Sequence, residues 1–78
     1  MNISTHEAIA VDVHVDQDQL HVRLQDGRTI STPLDWFPLL AAASAEQRAA
    51  WRIIGAGEGI HWPMIDEDIS VEGLLAGR

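Results

Sequence analysis

Residues 8–34 read AIAVDVHVDQDQLHVRLQDGRTISTPL, and the alternation in this stretch decides the fold. Ile9, Val11, Val13 and Val15 are apolar, with Asp12, His14 and Asp16 between them. A period of two is the mark of a half-buried strand. Leu20, Val22 and Leu24 repeat it around His21 and Arg23, and Ile30, Thr32 and Leu34 repeat it once more. Parity fixes the registers, because a slip of one residue turns every side chain to the other face. A two-residue turn at Gln17-Asp18 pairs Val15 with Leu20, Val13 with Val22 and Val11 with Leu24. On the wet face it sets His14 across from His21 and Asp12 across from Arg23, a favourable charge pair. Between the second and third strands, a three-residue loop at Gln25-Asp26-Gly27 brings Val22 opposite Ile30 and leaves the left-handed position to Gly27. The prediction is a three-stranded antiparallel meander.

After the meander the pattern changes at Pro33 and Pro38. A short helix opening at Asp35 or Trp36 holds Pro38 in its first turn, where a missing N–H costs little. Ser44 and Gln47 have capping-box spacing, so a second helix is expected from Ala45 to about Arg52, with Ala49 and Trp51 toward the sheet and Glu46 and Arg48 toward water. The stretch Trp51–Leu75, WRIIGAGEGIHWPMIDEDISVEGLL, then concentrates two tryptophans and four glycines. Ile53-Ile54 and Gly59–Trp62 read as short strands around a glycine-rich turn, a C-terminal hairpin that Pro63 ends or confines to an edge. Ser70 and Gly77 bracket a last helix, Val71–Ala76. The fold class is therefore α+β: a meander plus a short C-terminal hairpin, packed with two or three short helices.

Seventy-eight residues leave room for one domain, expected over residues 8–78 behind a polar, flexible N-terminus at 1–7. Twelve acidic residues oppose five basic ones, all arginine, for a net charge of -7. That charge repels phosphate backbones and disfavours direct nucleic-acid binding, while it suits solubility or a basic partner. The absence of cysteine excludes disulfides, thiolate zinc sites and a cysteine nucleophile. No apolar run approaches the roughly 20 residues of a membrane helix, and MNISTHEAIA lacks the features of a signal peptide. A cytoplasmic location follows as the expectation.

Several groups invite a chemical reading. His14 and His21 are two imidazoles short of a metal site unless Asp12 or Asp16 supplies a third ligand. His61, between Ile60 and Trp62, is a candidate base that Glu58 or Asp66 would orient, but none of Ser4, Ser31, Ser44 and Ser70 stands out as its nucleophile. Gly55, Gly57 and Gly59 resemble a phosphate loop yet lead into a strand without a following lysine, so a tight turn is expected. Asp66-Glu67-Asp68 lacks the spacing of a calcium loop, and carboxylates just before a helix favour its dipole. Trp36, Phe37, Trp51 and Trp62 are most simply the core, with Trp36-Phe37 the aromatic pair most open to a partner.

Taken together, DGRTISTPLDWFPLL and EQRAAWRIIGAGEGIHWPMIDEDISVEGLLAG resemble a small bacterial family catalogued as domain of unknown function 2442, over about Ala8 to Gly77. Its most specific part is Gly57–Pro63 followed by Asp66–Ile69. The resemblance implies a compact α+β domain with an antiparallel sheet, and it implies no established enzyme activity, cofactor or catalytic residue. Some members are fused to a helix-turn-helix segment, which this chain lacks. Short members look like the partner of a second small protein encoded beside them, in a toxin–antitoxin-like pair.

The resulting expectation is a non-enzymatic interaction or regulatory module, the acidic partner of a basic small protein encoded nearby. It binds through Trp36, Phe37, Asp66, Glu67 and Asp68, without catalytic residues, cofactor, metal, nucleic acid or membrane. The alternative is a small-molecule or metal-binding domain centred on Glu58 and His61 at the glycine-rich turn. A homodimer that covers an open sheet edge is the third option.

Overall fold

The computed structural model describes residues 8–77, so the expectation of a flexible N-terminus at 1–7 lies outside the described residues. β1 (Ala10–Val15), β2 (Gln19–Leu24) and β3 (Thr29–Pro33) form the antiparallel meander in that spatial order. Val15 faces Leu20, Val13 faces Val22, His14 faces His21 and Asp12 faces Arg23, as parity demands. Val22 faces Ile30 across the three-residue loop, whose Gly27 sits at φ 97°. One pairing differs. Leu24 faces Ala10, not Val11, because a bulge between Ala10 and Asp12 inserts one extra residue into β1. The bulge keeps Ala10 buried while its N–H donates to Gly57 O at 2.8 Å, and it leaves Val11 43% exposed.

The middle of the chain is helical in short pieces. Leu34–Trp36 is one 3₁₀ turn, followed by α1 (Pro38–Ala41) with Pro38 at its first position. α2 (Ala45–Ala49) carries the full capping box: Gln47 N–H donates to Ser44 Oγ, and Ser44 N–H to Gln47 Oε1. It stops at Ala49 rather than Arg52, because Arg52 opens β4 (Arg52–Ile54). Its faces also differ from expectation. Ala49 is exposed, and Arg48 turns inward, with its guanidinium donating to the carbonyls of Ala41, Leu40 and Asp16.

The C-terminal hairpin of β4 and β5 (Gly59–Trp62) is present and larger than expected. A third strand, β6 (Glu67–Ser70), pairs with β5, so β5 is central and Pro63 lies just beyond its end. Acidic residues are weak strand formers, so the sequence pattern hides β6; Ile69 across from Ile60 supplies its apolar contact. α3 (Val71–Ala76) follows, capped by Ser70, whose Oγ accepts the Gly73 N–H, and closed by Gly77 at φ 78°. A single core draws on both sheets and both ends of the chain: Leu20, Val22, Leu24, Leu40, Ile60, Trp62 and Val71 are all less than 2% exposed. Trp62 is the buried tryptophan, and its indole N–H donates to Arg48 O at 3.1 Å, which ties the second sheet to α2. No described helix is long and apolar enough to cross a membrane.

Candidate functional site

The second sheet divides its side chains by parity. Ile53, Ile60 and Ile69 share the core row, and Arg52, His61 and Asp68 form the next row on the outer face. His61 Nδ1 lies 2.5 Å from Asp68 Oδ1, so Asp68 orients the imidazole rather than Glu58 or Asp66. The His61 side chain is 19% exposed and that of Asp68 69%. Glu58 is occupied within its own turn. Its Oε1 accepts from Ala56 N–H, its backbone carbonyl accepts from Val71 N–H, and its carboxylate covers the space that a side chain at Gly55 would need.

The acidic run is part of β6 and the turn before it, not a prelude to α3. Asp66 sits in the turn at φ 54°, a left-handed position that Asp tolerates. Glu67 is half-buried across from Trp62, and Asp68 is exposed. The acidic residue in the first turn of α3 is Glu72. Trp36 is 47% exposed in the 3₁₀ turn after β3, whereas Phe37 is half-buried and packs on the core. Trp51 is likewise half-buried against the core. α3 packs against β3, which links the end of the acidic strand to the strand that leads into Trp36.

The first sheet holds a network that the sequence reading missed. His21 Nδ1 is 2.7 Å from Ser31 Oγ, and His21 Nε2 is 2.8 Å from Asp16 Oδ2. The signal was the register itself, which sets His21 across from Ser31. His14 stacks on His21 with ring centroids 5.9 Å apart. Asp16 Oδ1 also accepts from Asp18 and Gln19 N–H, and the His21 hydrogen bond, then these two, hold the carboxyl far below the usual carboxylate range. Among the described residues, no three His, Asp or Glu side chains are placed to hold a metal ion. A cleft of about 420 Å³ opens between β1 and α2, lined by Val13, Val15, Ala45, Ala49 and Trp51, away from Glu58 and His61.

Two antiparallel three-stranded sheets around one core, with short capped helices between and after them, define a small α+β domain. The chain belongs to the family described as protein of unknown function (DUF2442), whose model matches residues 10–78. It is similar to a protein of unknown function from Rhodospirillum rubrum ATCC 11170, solved by crystallography at 2.75 Å resolution. The two are 35% identical over 88% of this chain and 86% of that one, with a TM-score of 0.77. No curated protein matches the chain.

Proposed function

We propose that the protein is an interaction module that docks a basic protein partner. The acidic turn and strand Asp66-Glu67-Asp68 supplies the charge, and Trp36 with Phe37 supplies the aromatic contact. The observation that carries this reading is the position of β6 at the edge of its sheet, with Asp66 and Asp68 exposed, Glu67 half-buried, and no further strand beside it among the described residues. An exposed edge of this kind offers backbone groups as well as charge to an incoming segment. Trp36, nearly half exposed, adds the residue type most often found at binding hot spots. A net charge of -7 extends the attraction to approach, through electrostatic steering. A small basic protein encoded nearby and a cytoplasmic setting complete the proposal. The reading is preferred over a ligand site at His61 because Glu58 is turned into its own loop and the large cleft lies elsewhere.

The test is capture by the tagged protein from a nuclease-treated cytoplasmic extract, followed by titration with the purified partner. One stoichiometric basic protein is expected. Reversing Asp66, Glu67 and Asp68 to lysine should weaken its binding at least ~10-fold and flatten the salt dependence, mainly through the association rate. Unchanged affinity removes the acidic surface from the proposal, and an empty capture removes the basic partner.

A further inference from the structure

The first sheet carries a chemistry unrelated to this docking surface. Leu24 N–H donates to Arg28 O at 2.7 Å across the β2–β3 loop, which makes that pair hydrogen-bonded. Antiparallel ladders alternate, so Val22 and Ile30 form the next hydrogen-bonded pair and His21 and Ser31 form a non-hydrogen-bonded one. Two consequences follow. Side chains approach most closely at non-hydrogen-bonded pairs, which brings Ser31 Oγ to 2.7 Å from His21 Nδ1. The Ser31 N–H also points away from β2, toward the outer edge of β3.

The other imidazole nitrogen faces a permanent anion. Asp16 closes the β1–β2 turn with Oδ1 on two backbone N–H groups, which leaves Oδ2 for His21 Nε2 at 2.8 Å. A carboxylate held ionised at Nε2 requires the proton there. In the neutral imidazole Nδ1 is then the bare base, and the Ser31 hydroxyl donates to it. His14, stacked at an interplanar angle of 17°, backs the ring on its other side. Serine, histidine and aspartate thus stand in the order of an activated nucleophile, its base and the group that orients the base.

From this geometry we propose that Ser31 is a self-acylating nucleophile that accepts the acyl group of small activated esters, with His21 as general base. Ser31 Oγ forms a bond to the acyl carbon as its proton passes to His21 Nδ1. The tetrahedral oxygen accepts a hydrogen bond from the Ser31 N–H. The bond from the acyl carbon to the leaving oxygen then breaks; that oxygen departs with the electron pair and takes the proton from His21. Asp16 positions the imidazole throughout. A hollow of about 90 Å³ beside His21 is walled by Asp12, Val13, His14, Arg23 and Thr29 and offers room for a small group next to the base. That is about three times the volume of a water molecule in the liquid.

p-Nitrophenyl acetate is the probe, read as nitrophenolate release and as the mass of the intact chain and its peptides. The chain has neither lysine nor cysteine, so the competing nucleophiles are the imidazoles and the terminal amine, which the peptide masses separate from Ser31. The expected result is a burst of one equivalent, with one acetyl group on Ser31. Ser31→Ala should abolish the burst, His21→Gln should slow it by ~10²–10⁴-fold, and unfolding in urea should remove it. Asp16→Asn should move the pH–rate profile, since it releases the tautomer. Ser31 is exposed, so its alanine variant tests chemistry and not folding. An equal burst in Ser31→Ala, acetylation elsewhere on the chain, or release no faster than by free imidazole would overturn the proposal.

Discussion

Replacing Arg48 with methionine keeps the aliphatic stem and removes the fork of donors, and the structure sets what that should cost. The guanidinium donates from Nη2 to Ala41 O at 2.8 Å, from Nε to Leu40 O at 3.2 Å and from Nη1 to Asp16 O at 3.3 Å. Ala41 and Leu40 end α1, where helix carbonyls lack intrahelical partners. Asp16 belongs to the β1–β2 turn, so one side chain on α2 holds both α1 and the first sheet. Hydrogen bonds to a charged group contribute about 1.5–3 kcal/mol each. Leu40 O also accepts from Ala43 N–H, and the Asp16 contact is long and exposed, so water can replace part of what is lost. Counting the Ala41 bond in full and the others as fractions gives a loss of about 2–3 kcal/mol. A domain of this length has about 4–12 kcal/mol in total, so the melting temperature should fall by about 10–20 °C. Urea titration followed by tryptophan fluorescence measures the change. Arg48→Lys should lose nearly as much, because a single ammonium does not span three carbonyls. An Arg48→Met variant within about 0.5 kcal/mol of the wild type, a typical surface effect, would refute the clasp.

Two further outcomes follow from the turns. Gly57 sits at φ 99°, and a methyl group there would collide with the Ile9 side chain, while its carbonyl accepts from Ala10 N–H. Gly57→Ala should therefore cost more than the ~1–3 kcal/mol of backbone strain alone. Gly27→Ala, at φ 97° with open space around it, should cost the strain only; equal melting temperatures for the two variants would contradict this. Asp16 has its folded-state pKa depressed by His21 and the Asp18 and Gln19 amides, so its contribution is complete above the unfolded carboxylate value near ~4 and fades as pH falls below it. The stability gap between wild type and Asp16→Asn should be widest near neutral pH and shrink by about pH 2. A gap that stays constant in urea titrations at both pH values would contradict the assignment.

The meander was legible because two signals agree at Val13, Val15, Leu20 and Val22: alternation and turn length permit a single register. Capping was legible for the same reason, since Ser44 with Gln47 and Ser70 with Gly77 mark helix ends by local chemistry. Val11 shows where this stops. Its apolar character fits the strand pattern, yet the contact of Ala10 with Gly57, 47 residues later, places a bulge there and turns it outward. β6 failed on propensity, because Glu67 and Asp68 disfavour strands and only the partner β5 makes them one. Arg48 looked like a surface charge, since a sequence does not display which carbonyls lack partners. The Ser31–His21 contact is implicit in the register from Val22 and Ile30, which sets Ser31 across from His21 rather than near His61.

The glycine-rich turn, the most conspicuous motif in the chain, is a joint between sheets. Gly57 O receives the Ala10 N–H from the first sheet, and Glu58 O receives the Val71 N–H that starts α3. With the turn committed to these bonds, the reactive groups are left on outer sheet faces. Each face has a histidine bonded to an aspartate, His21 with Asp16 and His61 with Asp68. The two pairs differ in what lies on the remaining nitrogen. His21 meets a serine hydroxyl, and no described side chain donates to the second nitrogen of His61. The same residue pair thus serves a nucleophile in one sheet and, in the other, steadies the edge strand β6.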